Sequence, residues 1–213
     1  FNRVSVGLQS LDPADLAFLG RDHSPADGLT TLEQAHAIIG NVSADFIFGL
    51  PHQTLEGWQR QLEFLERIAI PHISCYQLTI ERQTRFYADV RRGAWQPLDA
   101  DIQADMMMLT GDILAARGFD HYEISNYARP GFACRHNLHA WRNGDYLGLG
   151  AGAHGRVHLS DQTRVRTQNR KDPATYLKLV REHGHATVER ETLAGATAWK
   201  DALVLGLRLS DGV

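Results

Sequence analysis

The segment Ser43–Pro51, SADFIFGLP, decides how the first half of this chain folds. It is an apolar run of strand length, rich in aromatic and β-branched side chains and closed by Gly49 and Pro51, and it carries one carboxylate, Asp45. Before it, Pro25 to Ile39 places Leu29, Leu32, Ala35, Ile38 and Ile39 on one side of a predicted helix. Earlier still, RVSVGLQS (Arg3 to Ser10) is a β-rich run. It leads into DPADLAFLG, where Asp12 is the expected N-cap, Pro13 the first helical residue and Gly20 the stop. After Pro51, TLEGWQRQLEFLERIAI carries Leu55, Trp58, Leu62, Leu65 and Ile68 at helical spacing, and HISCYQLTI is a third strand. Strands alternating with helices imply parallel neighbours joined by crossovers, because parallel strands need long connections.

Each of these strands ends in polar or glycine-containing sequence: Gln9 and Ser10, then Gly49, then Gln77 and Thr79. Ligands of parallel α/β proteins gather beyond the carboxyl ends of strands. Three strands do not close a barrel. The expectation is therefore either a small open sheet with an edge to cover, or a barrel completed by strands outside this chain.

The 213 residues are 43% hydrophobic and 22% charged, the composition of a globular protein with a sizeable core. A formal net charge of −3 provides no field to hold a polyanion, so nucleic acid is not an expected partner. No apolar window of about 18 residues suggests a membrane span, and the chain reads as cytoplasmic. Cys75 and Cys134 stand far apart and form no CxxC, so they suggest neither a disulfide framework nor a zinc knuckle. The start at Phe1 and the stop just after an apolar helical pattern suggest a piece of a longer protein.

After Gly93 the character changes, and a boundary is expected near residue 95. Leu98 to Gly118 is predicted as a long helix capped by Asp99 and ended by Gly118, with Met106, Met107 and Met108 filling an irregular core gap. A strand is expected in TRVRTQNR (Thr163 to Arg170), with helices near Pro173–Glu182 and Thr192–Leu209.

Three polar residues of the first half stand out by position: Gln9 at a strand end, Arg21 after the first helix and Asp45 within an apolar strand. A buried carboxylate wants a partner, and a ribose diol offers two matching donors, while an arginine fork matches a carboxylate. In the second half, CRHNLHAWRNGDYLGLGAGAHG (Cys134 to Gly155) sets His136 and His139 at i and i+3, with Asn137 and Trp141 close by. An imidazole beside a flat apolar ring suits a planar ligand. The glycines that follow permit close backbone approach but lack the spacing of a dinucleotide site.

Taken in order, RVSVGLQS, LGRDHS, DFIFGLPHQT, ISCYQLTIE, YEISNYARPG, RHNLHAW and GDYLGLGAGAH resemble the radical S-adenosylmethionine haem chaperones, relatives of oxygen-independent coproporphyrinogen III oxidase. The resemblance runs from Arg3 to about Tyr176. It implies an α/β fold: the later part of a partial six-stranded (β/α) radical S-adenosylmethionine barrel over residues 1–95, then a smaller mixed α+β domain over 96–213. It also implies that Gln9, Arg21 and Asp45 contact S-adenosylmethionine, with Thr79 as a weaker backbone contact. HNLHAW matches a haem-associated HNxxYW motif at His136, Asn137 and Trp141, which makes His136 the expected axial ligand of haem iron. Ala140 replaces the motif tyrosine, and His139 or Cys134 stands nearby as a substitute ligand.

The family's [4Fe–4S] cluster is held by a CxxxCxxC motif that this chain lacks, so no cluster and no radical catalysis are expected from the chain itself. The function implied is binding haem and delivering it to respiratory proteins. The alternative is oxidative decarboxylation of coproporphyrinogen III. Haem and haem-accepting respiratory proteins are the expected partners, with peripheral membrane association and a homodimer as further expectations.

Overall fold

The computed structural model describes residues 2–65, 68–160 and 163–213. They form two compact units, Phe1–Ala133 and Cys134–Val213. In the first, β1 (Val4–Gln9), β2 (Val42–Phe48) and β3 (His72–Gln77) are parallel neighbours. They are joined through α1 (Pro13–Phe18), α2 (Pro25–Ile39) and α3 (Leu55–Phe64). After α4 (Arg85–Arg91) and α5 (Ala100–Ala116), the chain adds β4 (Asp120–Glu123) and β5 (Asn126–Ala128). The sheet order is β1-β2-β3-β5-β4, with β5 antiparallel to both β3 and β4. The change of character near residue 95 therefore falls inside the first unit, because β4 and β5 join the same sheet and α5 packs into the same core.

Residue period explains the layers. Along β2, Val42, Ala44, Phe46 and Phe48 are buried in the apolar core, whereas Ser43 and Asp45 lie on the opposite face. Trp58 of α3 packs edge-on against Phe46 and tilted against Phe48, and its indole N–H donates to Thr110 Oγ1 of α5 at 2.8 Å. That one side chain ties α3 to the sheet and to α5.

The predicted helix starts hold. Asp12 accepts from Ala14 N, Asp99 from Asp101 N and Ile102 N, and Gly118 takes a positive φ of 77°. Ser24 and Asp27 cap α2 reciprocally. Three details differ. Ile38 and Ile39 are exposed rather than packed with Leu32, because α2 ends there and turns its last residues from the sheet. Of the three methionines only Met106 enters the core, while Met107 and Met108 face outward, as consecutive helix positions must. The expected continuation of α3 reaches positions 66 and 67, which lie outside the described residues.

The second unit starts with α6 (Arg135–Trp141) and builds an antiparallel sheet of β6 (His154–Ser160), β7 (Thr163–Asn169) and β8 (Thr187–Leu193), with α7 (Pro173–His183) between β7 and β8. The last helix, α8 (Gly195–Gly206), begins later than the expected Thr192, because Thr192 and Leu193 pair with Val165 and Arg164 as the end of β8. Arg156, 5% exposed, anchors α8 to the sheet through Asp201 at 2.8 Å, while Arg166 reaches the same carboxylate at 3.2 Å. Mixed α+β is the architecture expected for this part.

Candidate functional site

The parallel register brings the carboxyl ends of β1, β2 and β3 to one rim. Gln9 pairs with Phe46, and Phe48 pairs with Gln77. Gln9 closes β1 with a φ of 64°, a left-handed conformation that a non-glycine residue adopts at some cost. Its amide folds back over Gly7: a Cβ there would lie 2.5 Å from Gln9 Nε2. Gly7 in turn pairs with Asp45, so Gln9 and Asp45 share the polar face of the sheet.

Asp45 is half-buried and accepts from Ser5 Oγ at 2.6 Å and from Ser43 Oγ at 3.2 Å. No cation pairs with it among the described residues. A carboxylate held by two hydroxyls, with lone pairs left over, suits a diol.

Arg21 lies in the loop after α1. Two residues on, His23 Nε2–H donates to the carbonyl of Leu8 at 3.2 Å, which fastens that loop to the end of β1. The Arg21 guanidinium is exposed and makes no hydrogen bond or ion pair among the described residues. Thr79 is exposed just past β3, where Leu78 N extends the ladder to Phe48 O at 2.8 Å; its hydroxyl donates to Gln77 O at 3.3 Å. Gln9 and Asp45 are thus on one face, with Thr79 and the Arg21 loop at the strand ends that this face leads to. A separate cleft of about 530 Å³ lies between α1 and α3, lined by Asp12, Asp15, His52, Arg60 and Gln61, none of which belongs to the predicted set.

Sequence reasoning passed over the neighbours of Asp45. Ser43, His72, Ser74, Glu123 and Asn126 are all buried polar residues on this face. Ser43 Oγ lies 2.7 Å from His72 Nδ1, and His72 Nε2 lies 2.8 Å from Tyr122 Oη. Ser74 donates to Asn126 Oδ1 at 2.8 Å, and Asn126 donates to Glu123. Burial, with the positive charge of Arg3 second, pushes the His72 imidazole down to about 3, so it is neutral near pH 7. The available signal was a polar residue at every second position of two apolar strands: Ser43 and Asp45, His72 and Ser74.

In the second unit His136 is exposed on α6, and its ring makes no hydrogen bond, ion pair or ring contact among the described residues. His139 does not join it. Its Nε2–H donates to Asp145 O at 2.7 Å, and its ring lies where a Cβ on Gly144 would fall, 2.4 Å away. His139 as a substitute ligand is therefore replaced by a structural role, closing the turn after α6. Asn137 is half-buried. Trp141 lies under the Arg208 guanidinium, 4.3 Å from its ring, and its buried indole N–H has no acceptor among the described residues. Of these side chains, the exposed His136 imidazole is the one that fits as a ligand of haem iron.

The glycines beyond have another use. A Cβ on Gly148 would meet His154 O at 2.4 Å, so these positions let the chain pack against its own backbone at β6. For an iron–sulfur cluster the residues present do not fit. Cys75 is buried in the apolar core, where burial drives its thiol far up, and Cys134 is the only other cysteine.

No family model matches the chain. Among known proteins it is 40% identical over 216 residues to radical S-adenosyl methionine domain-containing protein 1, mitochondrial, of Bos taurus, covering 100% of this chain and 49% of that protein. It is 37% identical over 180 residues to the haem chaperone HemW of Escherichia coli, covering 83% of this chain and 46% of that protein. The chain thus spans about half the length of the relatives it matches. Its fold matches that of coproporphyrinogen III oxidase (HemN) from Escherichia coli, a radical S-adenosylmethionine enzyme, with a TM-score of 0.76 at 20% identity over 98% of this chain and 50% of that one. Relatives at this identity along the whole chain, on the fold of a radical S-adenosylmethionine enzyme, place the chain in the radical S-adenosylmethionine family that includes the haem chaperones HemW.

Proposed function

We propose that this chain is the part of a haem chaperone that grips the nucleoside of S-adenosylmethionine in its first unit and haem in its second, for delivery to respiratory proteins. The observation that carries the first half is the shared face of Gln9 and Asp45 at the carboxyl rim of three parallel strands. Asp45 takes the ribose diol, the Gln9 amide lies beside it, Arg21 supplies a charge for the amino-acid carboxylate, and Thr79 adds a backbone contact. The second half rests on His136, whose imidazole supplies an axial nitrogen to haem iron, with Asn137 and Trp141 as its neighbours. Ala140 leaves that helix without the motif ring, which lowers affinity but keeps the ligand.

A [4Fe–4S] cluster would have to draw its ligands from residues outside this chain, since Cys75 and Cys134 do not fit one. Haem-accepting proteins, peripheral membrane contact and a homodimer belong to the same proposal. So does a cytoplasmic location, beside which the relatives named mitochondrial set an organellar one. Among the described residues no helix is long and apolar enough to cross a membrane.

The test is a haemin titration of the full-length protein, followed in the Soret band. His136→Ala should weaken binding by about tenfold or more, the size expected for losing one strong ligand interaction. His158→Ala should leave it unchanged, since His158 is held by Asp145 at 2.7 Å and accepts from Arg164 at 3.1 Å. Superimposable curves for the two variants would sink the assignment of His136.

A further inference from the structure

The His72 tautomer governs which of the buried polar groups of the first sheet donate and which accept. The Ser43 hydroxyl has one proton and three polar neighbours: His72 Nδ1 at 2.7 Å, Asp45 Oδ1 at 3.2 Å and Ser74 Oγ at 3.3 Å. Ser74 gives its own proton to Asn126 Oδ1. If Ser43 donated to His72, its lone pairs would face the Asp45 carboxylate, which is an acceptor only. That contact is repulsive in a buried setting. The other tautomer gives each group a partner and leaves only the longer Ser43–Ser74 contact without a proton between its oxygens. Tyr122 O–H donates to His72 Nε2, His72 Nδ1–H donates to Ser43 Oγ, and the Ser43 proton is left for Asp45 Oδ1. A neutral imidazole is what such a chain requires, and burial together with Arg3 keeps His72 neutral. Ser5 occupies the other oxygen, Asp45 Oδ2, at 2.6 Å.

We propose that His72 and Ser43 are positioning residues for the nucleoside site: a one-way chain of hydrogen bonds, Tyr122 to His72 to Ser43, ends on Asp45 and fixes the plane of its carboxylate. The inference rests on Asp45 being the ribose acceptor. With one lone pair of each oxygen engaged by a serine, the remaining pairs point where a diol is to be met, and the carboxylate loses its freedom to rotate. His72 acts from β3, the strand beside Asp45, and Tyr122 from β4, at the far edge of the sheet. The rim that holds the nucleoside is thereby coupled to a hairpin remote in sequence.

The experiment measures S-adenosylmethionine affinity by calorimetry on the full-length protein with its cluster reconstituted, with thermal unfolding recorded for every variant. Ser43→Ala and His72→Leu should each weaken binding by about tenfold, as expected for a lost hydrogen bond to a charged group. His72→Asn, whose amide N–H stands where Nδ1–H stood, should stay within about twofold of the parent, whereas His72→Gln should behave like His72→Leu. A purely structural role for His72 would not separate Asn from Gln in this order. If Asp45→Asn abolishes binding while the His72 and Ser43 variants bind like the parent, or if His72→Asn is as weak as His72→Leu, the positioning chain is wrong and the ribose assignment stands. If Asp45→Asn itself binds normally, both fall together.

Discussion

At His72, burial alone sets a chemical state that no residue type announces. The imidazole is 2% exposed, and its folded-state value near 3 lies below the ordinary 6.5. The unfolded chain therefore binds a proton that the folded chain refuses, and stability follows the sign of that difference. The contribution is complete above pH 6.5 and is lost as pH falls toward 3, at a limiting slope of about 1.4 kcal/mol per pH unit. Urea midpoints of the protein between pH 7 and pH 4 should fall, and His72→Asn should remove that part of the fall; parallel curves for the two would contradict it. Cys75 offers a second check at this scale. Buried in the core with its thiol driven up, it should resist maleimide until the protein is unfolded, while the half-buried Cys134 reacts in the native state. Asp45 was legible as a residue because a carboxylate in an apolar strand is conspicuous. Ser43 and His72 were not, because each is ordinary until β2 and β3 are laid side by side.

Among the elements, helix starts were the most legible feature. Asp12 and Asp99 act through contacts of two or three residues, which lie within any local window; the Ser24–Asp27 pair is as local but was not read. The short α4, capped by Thr84, was not foreseen, and β8 was partly taken for helix. In both cases few residues carry the periodic signal. Packing between elements concentrates on Trp58, fully buried between β2 and α5. Trp58→Ala should cost roughly 3–5 kcal/mol, although the Thr110 hydroxyl keeps its own bond to Met106 O. Trp58→Phe should recover most of the packing and none of the hydrogen bond. Denaturant unfolding of the three proteins measures the order, and equal midpoints for Ala and Phe would remove Trp58 from its central place.

For the molecule as a whole, the family relation leaves two chemistries on one fold. The full-length protein with its cluster, supplied with coproporphyrinogen III and reductant, should form no protoporphyrinogen while still binding haem; turnover would reverse the proposed function in favour of the oxidase. The sequence by itself determined the helices and strands of the βαβ succession and the caps that start its helices, because caps and periodicity are properties of short stretches of chain; it also singled out Gln9, Arg21 and Asp45 by position. Only the tertiary structure decided that β5 inserts beside β3, that β4 lends Tyr122 to the face of Asp45, and that His139 is tied to its own turn. The first two outcomes depend on pairing and burial between residues some 50 to 56 positions apart, and the third on a turn that brings together residues six apart. For the strand insertion and the Tyr122 contact, no local pattern carries that information.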